Sequence, residues 1–155
     1  MPRQPSSRPR PLVPLPRGWR TETPEAGVLL RARPPVAGPS GVMPEVTLTV
    51  RPVSGPDAEW VDDEVHDLAA RLELFALEDE DAWASDAGEV HYRRFAHRRG
   101  RHDLLVERWC WAAGGRGHVL EAGCDREDYE EFCDVFEELA RAARSATACG
   151  SVRAS

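Results

Sequence analysis

The chain has 155 residues, 20 basic residues that are all arginine, 27 acidic residues and a formal net charge of −7. At 41% hydrophobic and 30% charged, it is neither collagen-like nor fully disordered, and no apolar run approaches the roughly 18 residues of a membrane helix. All 13 prolines fall within residues 1–56, where 8 Arg face 3 Glu; residues 57–155 carry 12 Arg against 24 acidic residues. Residues 1–15 read as a disordered Pro/Arg-rich arm with a polyproline II bias, because proline denies the segment both helix and sheet. The domain is expected over residues 16–144, and residues 145–155 read as a flexible tail.

Order begins near Trp19, where Trp19 to Thr23 alternates in strand fashion. Val28 to Arg33 is a second short strand, stopped by Pro34-Pro35. Residues 34–44 form a loop rich in proline and glycine. Val46, Leu48 and Val50 then alternate with Thr47, Thr49 and Arg51, which gives the clearest period of two in the chain. Pro56 and Asp57 open a helix, since proline suits a first turn and acidic groups suit its positive end. Val61, Val65, Leu68, Leu72 and Phe75 supply a single apolar stripe.

Residues 77–88 are acidic, with a short edge strand assigned within 75–84. Val90 to His97 is a strand, Arg99-Gly100 a turn, and Leu104 to Ala113 a long aromatic strand. Gly114 to Gly117 closes a hairpin, and His118 to Cys124 returns. Asp125 is a helix N-cap with Asp128 at the capping-box position. Tyr129, Phe132, Cys133, Phe136, Leu139, Ala140 and Ala143 form the apolar face of the last helix. The order β-β-β-α-β-β-β-β-α with short connections predicts an α+β domain, an antiparallel sheet flanked by two helices.

Proline and arginine interrupt the N-terminus, so no secretory signal is read there. The expected compartment is the cytoplasm, where Cys110, Cys124, Cys133 and Cys149 stay reduced and behave as small hydrophobes. Cys110, His118, Cys124 and Cys133 fall close together, but none of their spacings matches a structural zinc site. If Gly114 pairs with Gly117, Cys110 pairs with Glu121, Trp111 with Leu120, and Cys110 faces away from Cys124. No metal or other cofactor is expected.

The same pairing places Trp109, Trp111, Leu120, Ala122 and Cys124 on one face. That face is either sheet core under a helix or an apolar groove open to a ligand or partner helix. The candidate binding residues are Trp109, Trp111 and Leu120. His91 and His97 read as surface or strand-end residues, too far apart to share a metal. No nucleophile elbow, zinc-protease, phosphate-loop or dinucleotide motif is present, so no catalytic residue is assigned. A dispersed site drawn from His91, Arg93 and Glu107 remains the enzymatic alternative. The acidic balance disfavours nucleic acid.

Several segments carry a family resemblance. Leu15-Pro16-Arg17-Gly18-Trp19-Arg20, the helix from Pro56-Asp57, Tyr92 to His97, Glu107 to Trp111 and the Asp-x-x-Asp-Tyr helix start resemble the LpqN and DcrB-like proteins of the PsbP-like superfamily. The resemblance covers about residues 15–144 and implies an antiparallel sheet flanked by helices in a non-enzymatic binding protein. LpqN relatives are actinobacterial lipoproteins. Some DcrB-like relatives are cytosolic chaperones that hold apolar helices of secreted effectors against the sheet. This chain lacks a lipobox, which points toward a cytosolic adaptor or chaperone with a protein partner, without membrane insertion. A small apolar ligand at Trp109 and Trp111 is the other non-enzymatic expectation.

Overall fold

A computed structural model describes residues 13–22, 25–86 and 88–148. Residues 1–12 of the expected arm and the tail from Cys149 onward lie outside the described residues. The elements are β1 (Arg20–Thr21), β2 (Val28–Arg33), β3 (Glu45–Pro52), α1 (Asp57–Arg71), β4 (Glu73–Ser85), β5 (Gly88–Arg99), β6 (His102–Ala113), β7 (Arg116–Asp125) and α2 (Tyr129–Ala148). A single 3-10 turn, Arg126–Asp128, leads into α2. The expected order of strands and helices is the observed one.

The strands form one seven-stranded antiparallel sheet in the order β1-β2-β3-β7-β6-β5-β4. Two meanders, β1 to β3 and β4 to β7, join where β3 pairs with β7. The β6–β7 hairpin turns on Gly114 and Gly115, both at positive φ (60° and 74°), closed by Ala113 opposite Arg116. Two consecutive left-handed residues suit the twist of a two-residue hairpin, and only glycine adopts them without strain. The expected register is therefore two residues off. Cys110 pairs with Val119, and Trp111 with His118. A shift of two preserves faces, so Cys110 still points away from Cys124.

Each helix covers one face. Beneath α2 lie Leu30, Ala32, Val46, Leu48, Val90, Trp109, Trp111, Leu120, Ala122 and Cys124, sealed by Phe136, Leu139, Ala140 and Ala143. Beneath α1 lie two smaller clusters, Trp60-Val61-Cys110-Val119 and Leu68-Phe95-Val106. Helix α1 ends at Arg71, so Phe75 belongs to β4 and packs back onto Phe95, with ring centroids 5.2 Å apart.

Both domain edges move outward from the expected 16–144. Val13 is fully buried in the core under α2, and the helix continues to Ala148 with Thr147 buried. Asp125 caps the 3-10 turn by accepting from the Glu127 N–H at 2.9 Å. Asp128 is not a capping-box residue. It is buried and accepts from the Ser40 hydroxyl (2.5 Å) and the Ser40 N–H (3.2 Å), which pins the loop 34–44 to the start of α2.

Candidate functional site

Trp109, Trp111 and Leu120, the residues expected to bind a partner or ligand, lie in the core under α2, 3%, 0% and 0% exposed. Trp111 donates its indole N–H to Thr147 Oγ1 at 2.9 Å and stacks on His118 at 5.6 Å between centroids. Trp109 packs against Tyr92 at 5.4 Å. Helix α2 occupies the space in which an open groove would have lain.

The dispersed polar residues do not converge. His91 stands opposite Cys110, and Arg93 opposite Arg108, on the α1 side. Glu107 lies on the α2 side, where it accepts from the Tyr92 hydroxyl at 2.7 Å. Burial raises the pKa of Glu107; burial and then this hydrogen bond push the Tyr92 hydroxyl up. The sheet itself separates Glu107 from the other two. His91 is buried, not a surface residue as expected; it lies on the interior strand β5 between Ala82 of β4 and Cys110 of β6. Among the described residues, no group of three or more His, Cys, Asp or Glu is placed to hold a metal ion.

The α1 seam is closed by charge. Arg108 is buried and bridges Glu64 of α1 to Glu121 of β7, the latter at 2.6 Å, and Arg51 also reaches Glu64. This network fastens the helix by its middle turn. Beyond it the same face opens into a cavity of about 170 Å³ lined by Met43, Leu104 and Val106, by His97 and Arg99, and by the carboxylates Glu45 and Glu121, which pair with Arg33 and Arg108. Arg99 makes no ion pair among the described residues. Burial, and then the Arg99 charge, hold His97 below its ordinary pKa.

The sheet's two edges differ. β1 has only two residues, whereas β4 runs for 13 residues, or about 43 Å at strand rise, with no strand on its outer side among the described residues. Its register slips between Glu73 and Ala76 and again between Leu77 and Asp79. At the first slip Leu74 takes a left-handed conformation (φ 51°) and is 67% exposed; Leu77 is 43% exposed. A bulky residue at positive φ costs about 1–3 kcal/mol, and an exposed leucine contributes no burial in return. The short edge strand expected within 75–84 is thus much longer. Leu74 and Leu77 are hard to assign to a strand from sequence because Leu72 and Phe75 continue the 3.6-residue period of α1 into β4. The available signal was the apolar run Leu72 to Leu77 set against the acidic run that follows.

A single twisted antiparallel sheet with one helix per face and a βββαββββα order is the PsbP-like α+β fold. Several solved structures share it. A Pseudomonas aeruginosa protein of unknown function, PA94, superposes with a TM-score of 0.63 at 12% identity, covering 72% of this chain and 78% of that one. LpqN, involved in cell envelope biogenesis of Mycobacterium tuberculosis, gives 0.61 at 13% identity over 83% and 79%. The cyanobacterial PsbP (CyanoP) of Synechocystis sp. PCC 6803 gives 0.57 at 12% identity over 82% and 81%. No family model and no curated protein matches the chain. Among the described residues, no helix is long and apolar enough to cross a membrane.

Proposed function

We propose that this chain is a non-enzymatic binding protein, an adaptor or chaperone, that receives an extended segment of a protein partner along β4. The observation that carries the reading is Leu74, strained and two-thirds exposed on a 13-residue strand whose outer edge has no partner among the described residues. Strand addition supplies main-chain hydrogen bonds, and side chains beside the edge supply selectivity. A cytoplasmic setting belongs to the same reading. Cys110 and Cys124 are buried thiols on opposite faces of the sheet, an arrangement suited to a reducing compartment.

The substitution Leu74→Gly separates function from folding. Glycine tolerates φ 51°, so the free chain is expected to be at least as stable as the parent in urea. Cross-linking of the native chain should place a captured partner on β4, and the glycine variant should lose it. Unchanged capture by the variant, or cross-links confined to other surfaces, would overturn the reading.

The cavity beside α1 favours a second reading, a small amphipathic ligand with its apolar part on Leu104 and Val106 and a negative group at Arg99. Titration with hexanoate should then shift the Leu104 and Val106 methyl resonances in the parent and not in Arg99→Gln. Absence of any shift at millimolar hexanoate would remove it.

A further inference from the structure

We propose that the segment received by β4 is basic, and that the charge of this edge excludes a second copy of the chain. The inference rests on the edge reading above and adds the chemistry of the partner. Strand β4 holds five carboxylates, Glu73, Glu78, Asp79, Glu80 and Asp81, and no basic residue. Arg94 (3.7 Å) and Arg126 engage Glu78, and Arg93 engages Glu80 at 3.2 Å. Arg93 also holds Asp62 of α1 at 3.2 Å, so the helix extends the acidic surface. Among the described residues Glu73, Asp79 and Asp81 make no ion pair within 4 Å, although Arg94 stands opposite Asp79 on β5 and feels its charge, so Asp81 is the least compensated carboxylate of the run.

The geometry selects the central part of the strand. Both register slips lie before Asp79, which leaves residues 79–85 as a regular ladder against β5. Side chains two apart share a face, so Asp79 and Asp81 project on the same side of the edge. A partner strand with a basic residue at every second position meets both.

A second copy meets the reverse. An antiparallel pairing centred on Asp79 sets Asp79 against Asp79, and one centred on Glu80 sets Asp79 against Asp81, the carboxylates without an ion pair. A parallel pairing in register sets every carboxylate against itself. Like charges directly opposite one another destabilise a strand pair, and charged edges are a common barrier to self-association. The same carboxylates therefore repel the chain's own edge and attract a basic one.

The test uses the full chain and three ten-residue probe peptides. One alternates arginine with valine; the others carry glutamine or glutamate in place of arginine. Fluorescence anisotropy reads affinity, amide chemical shifts of β4 read location, and sedimentation reads self-association. The arginine peptide should bind about tenfold more tightly than the glutamine peptide, the scale set by two exposed ion pairs. It should shift amides of residues 79–85, and the advantage should vanish in Asp79→Asn/Asp81→Asn and in 0.5 M salt. Both substitutions are at exposed positions, and circular dichroism verifies that the variant is folded.

Equal binding of the arginine and glutamine peptides at β4 would overturn the charge inference and leave the edge reading standing. No binding by any peptide, with the chain monomeric, would overturn both. Dimerisation that shifts β4 amides would replace the basic partner with a second copy.

Discussion

Thr147 ties the end of α2 to the centre of the core. Its hydroxyl accepts from the Trp111 indole at 2.9 Å and donates to the Ala143 carbonyl at 3.0 Å. Trp111 is fully buried, so no water can replace the lost acceptor. Thr147→Val keeps the side-chain shape and strands the indole N–H. Leaving a buried donor unsatisfied costs about 1–3 kcal/mol. For a domain of this size, that lowers the melting temperature by roughly 2–12 °C. Thr147→Ser keeps the hydroxyl and removes one methyl, worth about 0.8 kcal/mol. Urea denaturation followed by tryptophan fluorescence should rank the parent above the serine variant, and the serine above the valine. Removal of residues 145–155 should cost at least as much as the valine change. A valine variant as stable as the parent, or more stable than the serine one, would refute the hydrogen-bond argument.

Three further outcomes follow from the packing. Gly38→Ala would place a Cβ 2.6 Å from Asp128 Cγ; the contact that pins the loop must then break, costing about 1–3 kcal/mol in urea denaturation. His118 is held below its ordinary pKa, by burial and then by the charge of Arg116. The unfolded chain therefore takes up that proton first as pH falls. Stability should be lost progressively below about pH 6.5 and level off once the folded His118 is protonated. Melting curves from pH 8 to 5 should show a shallower acid limb for His118→Phe, with His97, shifted the same way, supplying the remainder; parallel curves would exclude His118. Burial pushes the Cys110 thiol up to about 11 and the Cys124 thiol up to about 12; Cys133 is raised too, by burial and then by Asp134, but it is only partly covered. Iodoacetamide at pH 8 should label Cys133 well before Cys110 and Cys124, which should be spared until denaturant is added, as read by peptide mass spectrometry.

Local signals made most of the fold legible. The Val/Thr alternation of β3, the glycine pair of the last hairpin and the apolar period of α2 each arise within a few residues. What escaped depends on distant partners. The run Glu78 to Asp81 has poor strand propensity, yet it is strand because Arg93 and Arg94 stand opposite Glu80 and Asp79 on β5. Residues 145–148 lose apolar periodicity and look frayed, but Trp111, on β6, holds Thr147 in place. Asp128 sits where a capping-box residue would, and its actual partner is Ser40, 88 positions away. The aromatic face at Trp109 and Trp111 was placed correctly by parity; whether a helix covered it was not a local property. The candidate edge was the least legible feature, because its leucines extend the period of the preceding helix.

The two ends of the sheet resist self-association by different means, and the difference bears on function. β1 is two residues long, too short to template another strand. β4 is long enough, and it is guarded instead by bulges and carboxylates. Protection alone would favour polar residues throughout, since any exposed apolar group on an edge promotes association. Leu74 and Leu77 run against that, and the left-handed backbone at Leu74 adds a cost that glycine would avoid. Shortening β4 would have protected the sheet more simply. On the proposed reading of β4 as a docking edge, charge that repels a copy, on an edge that keeps its length and its leucines, favours a strand of opposite charge with apolar side chains of its own.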